Sequence, residues 1–134
     1  MPRLCCASCG QILTRECTWG TIADHNTMAG DRVPAVETGV MVRLPKEVAM
    51  PVLRGDEIVG VTVFSPANAI SINPEDLVPD ALWSTGPDNG CCGSDGSDPP
   101  NRTCGQCLTV VGNEWSDCWT QAEIRFLPDA VQVV

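Results

Sequence analysis

The chain has 134 residues, of which 43% are hydrophobic and 19% are charged, so bulk disorder is excluded and the length suits one domain with a modest core. We expect that single domain to span residues 1–134. The formal net charge of −9 disfavours direct binding to nucleic acid, which requires a positive surface. No run of 18 apolar residues is present, so no transmembrane segment is expected.

The negative charge is spread along the whole chain. Residues 1–86 contain ten acidic and six basic residues, and residues 87–134 contain seven acidic and two basic residues. The acidity therefore belongs to the whole surface and not to a tail. Such a surface attracts a basic protein partner, although net charge also serves solubility alone.

Nine cysteines are the most unusual feature of the composition, and their odd number cannot be used up by disulfides alone. The first ten residues, MPRLCCASCG, lack the apolar segment of a signal peptide, so we expect a cytoplasmic protein. Cytoplasmic thiols are kept reduced, and clustered cysteines there more often bind metal.

The N-terminal half predicts short strands separated by turns. Residues 3–9 suggest one arm of a hairpin that turns at Cys9-Gly10, whereas 14–34 has no clear period and reads as loop. A strand is predicted over 36–44 and ends at Pro45. Residues 47–53 fit either a helical turn or a strand. The segment 58–64 is β-branched on both faces, which is typical of a central, doubly covered strand.

A short helix is predicted after the strand at 69–72. Asn73 would be its N-cap and Pro74 its first residue, followed by acidic residues in the first turn and ended by Pro79. Residues 84–103 are rich in Gly, Pro and Asp and predict a loop. Further strands are expected at 108–111, 122–126 and 131–134. The fold class is therefore mainly β (a β-rich α+β fold): a small mixed or antiparallel sheet held by Cys-ligated zinc, with one short helix near 74–78.

Two Cys-x-x-C pairs carry the most specific signal. Cys6 and Cys9 form one pair, and Cys104 and Cys107 form the other. This spacing lets a tight turn aim two sulfurs at one cation, and thiolates favour tetrahedral zinc over harder cations. The pairs resemble the knuckles of zinc ribbons and rubredoxin-like proteins over about ten residues. That resemblance implies zinc, with iron as the rival metal, although Leu108 replaces the glycine that commonly follows a knuckle.

The remaining cysteines leave the number of ions open between one and two. Successive side chains of an extended chain point to opposite faces, so one member of Cys5/Cys6 and one of Cys91/Cys92 should ligate. The predicted ligands are Cys6, Cys9, Cys92, Cys104, Cys107 and Cys118. Cys17 and His25 remain open as ligands, and His25, the only histidine, reads better as a surface loop residue.

These observations predict a small, acidic, zinc-binding protein whose metal is structural. All-cysteine sites leave no position for water, which favours a non-enzymatic protein-interaction module and names no catalytic residue. An inhibitor- or immunity-like role towards a basic partner is one form of it. The alternatives are a thiol-based redox or metal-handling protein and a hydrolase with a cysteine nucleophile.

Overall fold

The structure is a computed structural model that describes residues 1–134. It contains eleven short strands and two single-turn 3-10 helices. The strands are β1 (Leu4–Cys6), β2 (Thr18–Trp19), β3 (Val40–Leu44), β4 (Val48–Arg54), β5 (Glu57–Ser65), β6 (Ala69–Ile72), β7 (Leu82–Ser84), β8 (Arg102–Cys104), β9 (Val110–Trp115), β10 (Glu123–Phe126) and β11 (Val131–Val133). The 3-10 helices are Ile22–Asp24 and Pro74–Asp76. Neither has the length and apolar character needed to cross a membrane.

Seven strands form the main sheet, in the order β2-β3-β6-β10-β9-β8-β7. All neighbours in it are antiparallel except β2 and β3. Two smaller sheets stand apart from it. One pairs β1 with β11 near the two chain ends, and the other is the β4–β5 hairpin. The prediction of a β-rich fold built on a mixed sheet is confirmed.

The core lies over the middle of the main sheet. Ile72 of β6, Ile124 and Phe126 of β10 and Val111 of β9 are fully or almost fully buried. The same cluster of buried side chains includes Cys6 and Cys104. Two thiols of the predicted metal site therefore belong to the hydrophobic core, which couples the site to packing.

Most predicted elements form where expected. The short helix is present at Pro74–Asp76, and the Asn73 side chain accepts a hydrogen bond from the Glu75 backbone N–H at 2.9 Å, as an N-cap does. Residues 47–53, for which strand and helix were open, form β4. The C-terminal strand pairs with β1, so the two ends of the chain lie side by side.

One prediction about the strands is wrong. The segment 58–64 was expected to be a central strand covered on both faces, but β5 pairs only with β4 and is exposed over most of its length. The rest of the chain covers this hairpin only at its base, where Ser65 is buried and Asn113 Nδ2 donates to the Phe64 carbonyl at 3.4 Å. The β-branched pattern at 58–64 is typical of a strand whose side chains are buried. In this fold most of them stay exposed, because β5 pairs only with β4.

Candidate metal centre

The first Cys-x-x-C pair lies at the end of β1, where the chain turns back on itself. The Gly10 N–H donates to the Cys6 carbonyl at 2.8 Å, and the Cys6 N–H donates to the Gln11 carbonyl at 2.8 Å. Gly10 takes a positive φ of 81°, a conformation that glycine adopts without cost. This closed turn points the sulfurs of Cys6 and Cys9 to one side.

The second pair repeats these hydrogen bonds at the end of β8. The Leu108 N–H donates to the Cys104 carbonyl at 2.9 Å, and the Cys104 N–H donates to the Thr109 carbonyl at 2.8 Å. Leu108 takes the place of Gly10 and has a φ of 64°. The missing glycine therefore does not prevent the knuckle from forming; a leucine is held in the left-handed region, which costs about 1–2 kcal/mol.

The fold brings the two knuckles face to face. Cys6 Sγ lies 3.6 Å from Cys107 Sγ, and Cys9 Sγ lies 3.6 Å from Cys104 Sγ. All four sulfurs lie within 4.8 Å of one another. Zinc–sulfur bonds of about 2.3 Å imply sulfur–sulfur edges of about 3.8 Å in a tetrahedron. The arrangement therefore suits one tetrahedral ion with only small adjustments.

Two polar side chains contact the sulfurs of this four-sulfur cluster. The Gln11 amide oxygen lies 3.0 Å from Cys104 Sγ and accepts the Gln106 N–H at 3.0 Å, so one side chain spans the two knuckles. The Thr109 hydroxyl lies 3.1 Å from Cys107 Sγ. This hydroxyl and the Thr109 N–H lower the pKa of Cys107 to about 6, which favours the thiolate that a metal requires.

A second group of sulfurs lies on the surface, between the 84–103 loop and the turn after β9. Cys91 Sγ lies 3.4 Å from Cys92 Sγ and 3.3 Å from Cys118 Sγ, and all three residues are exposed. The buried Asp117 carboxylate lies 3.5 Å from Cys91 Sγ. This exposed three-thiol cluster, with its carboxylate, could also hold a metal ion.

Asp117 organises the backbone of this cluster. Its Oδ1 accepts the N–H of Cys92 at 3.0 Å and that of Cys118 at 2.9 Å. Burial opposes ionisation of Asp117, but these hydrogen bonds outweigh burial and lower its pKa. Gly93 is needed nearby, because a Cβ there would lie 2.6 Å from the Ser116 carbonyl oxygen. The loop can therefore wrap closely around the carboxylate.

The sulfurs of the exposed cluster lack a compensating positive charge. Hydrogen bonds with Cys118, Cys92 and Asp117 raise the pKa of Cys91 to about 12, because they stabilise its protonated thiol, and the Asp117 carboxylate would also repel a thiolate. None of their hydrogen bonds comes from a lysine or arginine. A bound cation would supply the missing charge and make deprotonation favourable.

The predicted ligands thus divide between two places. Cys6, Cys9, Cys104 and Cys107 come together in the four-sulfur cluster, while Cys92 and Cys118 lie in the exposed cluster. In strand β1, only Cys6 of the vicinal pair joins a cluster. Its neighbour Cys5 is buried outside both, and so is Cys17.

The expectation that only one member of a vicinal pair joins a cluster does not hold for the second pair. Cys91 and Cys92 lie in a bend and not in an extended strand, so both sulfurs reach the same cluster. The flanking residues Gly90 and Gly93 were a sequence signal for such a bend. Asp117 was missed as well, although it directly precedes Cys118.

His25 is not the surface residue that the sequence suggested. It is buried, and its Nε2 lies 2.7 Å from Glu123 Oε2, so its ring contacts a carboxylate and not a cysteine. Glu123 is fully buried and also accepts a 2.5 Å hydrogen bond from the Ser71 hydroxyl. The alternation at 122–126 indicated a strand but gave no sign of a buried ion pair within it.

Three of the four tryptophans lie at the surface. Trp19, Trp83 and Trp119 are 42%, 56% and 63% exposed. Trp19 packs under the Arg43 guanidinium, and Trp115 packs under that of Arg125. The aliphatic side chains of the sheet form the core without them.

Comparisons with protein-family models, with curated proteins and with solved structures find no match to this chain. The geometry of its cysteines therefore carries the functional argument.

Proposed function

We propose that this is a small zinc-binding protein whose metal is structural and which acts by binding another protein. The observation that carries the proposal is the four-sulfur cluster, in which two equivalent knuckles from distant parts of the chain meet next to the core. Four cysteine ligands leave no open position for water or substrate, which favours structure over catalysis.

The partner we propose is a basic protein. The net charge of −9 attracts such a partner over long range, and opposite potentials speed encounter. The loop at 84–103 offers a preorganised acidic surface: Asp95 Oδ1 accepts the Ser97 N–H at 2.9 Å, while Asp98 is exposed. Asp88 contributes less, because it lies 3.4 Å from Arg102.

A second candidate function, metal handling or thiol redox chemistry, is favoured by the exposed cluster. Its three sulfurs are accessible from solvent, unlike those of Cys6 and Cys104. Exposed thiolates exchange a bound metal, or oxidise, more readily than buried ones. In this candidate the buried cluster holds its ion for structure, and Cys91, Cys92 and Cys118 hold a second, exchangeable ion.

Native mass spectrometry should separate the roles of the two clusters. We expect zinc that survives a mild chelator in the wild-type protein and in Cys118→Ser, because that ion is held by four cysteines near the core. Cys107→Ser should lose it. An additional zinc that a mild chelator removes, and that Cys118→Ser lacks, would support metal handling. A wild-type protein that carries no metal after purification under reducing conditions would contradict the proposal, and a coloured protein would indicate iron.

Association with a basic partner should slow as salt rises, because attraction between exposed charges is screened over about 8–10 Å at 0.1–0.15 M ionic strength. Once a partner is identified, Asp95→Lys with Asp98→Lys should lower the association rate and flatten its salt dependence. The matched control reverses Asp56 in the β4–β5 turn and Glu57 at the start of β5, which lie far along the chain. Equal effects from both pairs would contradict the assignment of the loop as the steering surface.

A further inference from the structure

The β4–β5 hairpin and its turn, residues 48–65, form an arm that the rest of the chain covers only at its base. Its strands pair only with each other, from Val48 opposite Ser65 to Arg54 opposite Glu57. An isolated two-stranded hairpin is at best marginally stable in water, and it needs a further layer against a hydrophobic face. The arm therefore lacks a partner within its own chain.

The strand register divides the arm into two unequal faces. Side chains of directly opposed residues point the same way and alternate along each strand, and Val59 and Phe64 are the extra residues of two bulges. One face, here called the apolar face, carries no polar side chain. Its six residues are Ala49, Pro51, Leu53, Ile58, Val61 and Val63. The opposite face is mixed and includes Met50, Val52, Arg54, Glu57, Gly60 and Thr62.

The apolar face is open to water. Leu53, Ile58 and Val61 are 59%, 68% and 63% exposed, and Val63 is 39% exposed. Contiguous exposed apolar side chains of this kind mark an interaction surface. The sequence pattern points the same way, because the β-branched run at 58–64 predicts a strand that is covered.

The distribution of charge along the chain indicates which molecule covers the apolar face. The arm contains one basic residue, Arg54, and two acidic residues, Asp56 and Glu57. The net charge of the arm is therefore −1, whereas that of the whole chain is −9. The arm is thus a poor attractant for a basic protein, but it is the one extended apolar segment that two copies of this acidic chain can bring together with little repulsion. Seven residues of strand extend about 23 Å, well beyond a screening length of about 8 Å. Two arms packed face to face in opposite directions would keep the acidic bodies apart.

The sizes of the side chains suit such a pairing. Leu53 and Ile58 lie near the tip of the arm, while the smaller Ala49 and Val63 lie at its base. A twofold axis near Val61 places the tip of one arm over the base of the other, so large residues pack against small ones. A twofold interface uses the same patch on both copies and is closed, which limits assembly to a dimer.

We propose that two copies of this chain dimerise by stacking the apolar faces of their arms, tip to base, about a twofold axis near Val61. Stacked sheets lie about 10 Å apart with their side chains interdigitated. The second layer supplies the cover that each hairpin lacks. The arm contains no cysteine, so this inference is independent of the metal proposal.

Sedimentation of the full-length, zinc-loaded protein tests the dimer. We expect the mass of the wild type to approach twice 14.3 kDa as concentration rises. Val61→Lys places two like charges at the centre of the interface and should weaken dimerisation by roughly 100-fold or more. Met50→Lys is the matched control, because Met50 is equally exposed, at 60%, on the opposite face. It should dimerise like the wild type.

Salt dependence provides a second test, because rising salt should weaken binding to a basic protein but strengthen the dimer. Dimerisation of two acidic chains should strengthen as salt screens their repulsion. Metal content and melting temperature, measured on all three proteins, show whether the variants fold. The same measurements separate a failure of the metal proposal from a failure of the dimer proposal. A wild type that stays monomeric, open-ended assembly beyond the dimer, or equal dissociation of Met50→Lys and Val61→Lys would overturn the inference.

Discussion

Replacing Cys104 by serine should abolish both metal binding and the cooperative melting transition. Cys104 is fully buried in the core cluster and belongs to the four-sulfur cluster, so its loss leaves three thiols without a tetrahedral site. Structural zinc contributes about 10–16 kcal/mol of binding free energy in zinc-finger peptides, which is comparable with the whole stability of a typical domain, roughly 5–15 kcal/mol.

The long separation of the knuckles adds to this effect. Cys9 and Cys104 are 95 positions apart, so a shared ion closes most of the chain into one loop. A covalent cross-link over about 100 residues stabilises a fold by about 4.7 kcal/mol in the chain-entropy model. Removing the ion with a strong chelator should therefore unfold the wild-type protein as well, and circular dichroism during heating measures both effects.

Cys5→Ala is the matched control, because Cys5 is buried beside Cys6 but its sulfur lies outside both clusters. This variant should keep its metal and melt cooperatively, with a loss of about 1 kcal/mol, the typical cost of one substitution. A Cys104→Ser protein that melts like the wild type would show that the core is stable without the ion.

Glu123→Gln should cost about 3–5 kcal/mol of unfolding free energy, the usual effect of breaking a buried ion pair. The Glu123 carboxylate is fully buried beside His25 Nε2 and the Arg125 Nε at 3.0 Å, and the Gln121 amide donates to it at 2.9 Å. Glutamine preserves the volume but removes the charge. Arg125 then loses its buried counterion, and His25 Nε2 loses its contact with a carboxylate.

The same carboxylate predicts how stability depends on pH. Burial alone would raise the pKa of Glu123, but the hydrogen bond with His25 and the charge of Arg125 outweigh burial and hold the pKa at about 2, below the ordinary 4.5. A pKa that is lower in the folded state contributes stability above the unfolded value. We expect that contribution, about 3 kcal/mol, to be lost as pH falls from about 4.5 to about 2.

Urea unfolding of wild type and Glu123→Gln, from neutral pH down to the lowest pH at which both proteins keep their metal, measures this term. The gap in unfolding free energy between the two proteins should narrow as pH falls below about 4.5, because protonation in the unfolded state removes the advantage of the Glu123 charge. Glu37→Gln, at an exposed position, is the control and should follow the wild type at every pH. A gap that stays constant as pH falls below about 4.5, while both proteins keep their metal, would show that the Glu123 charge does not contribute to stability.

Local sequence determined the features that depend on spacing along the chain. The Cys-x-x-C pairs specified two knuckles, because only a tight turn is needed to aim both sulfurs in one direction. The Asn73-Pro74 start placed the short helix, since its cap is a contact between near neighbours. Alternating and β-branched runs indicated strands for the same reason, and they made the β-rich fold class predictable.

Tertiary structure decided everything that depends on contacts between distant residues. No local pattern shows that Cys9 meets Cys104, that Cys91 joins Cys118, or that His25 reaches Glu123 across 98 positions. The backbone at Leu108 adopts a conformation that its side chain disfavours, because the surrounding knuckle fixes it. β5 has the sequence of a covered strand, but only the topology reveals that its own chain leaves it uncovered. Local sequence indicates which side chains are apolar and which can bind a metal. The distant residue, or the second molecule, that contacts them is determined by the tertiary structure.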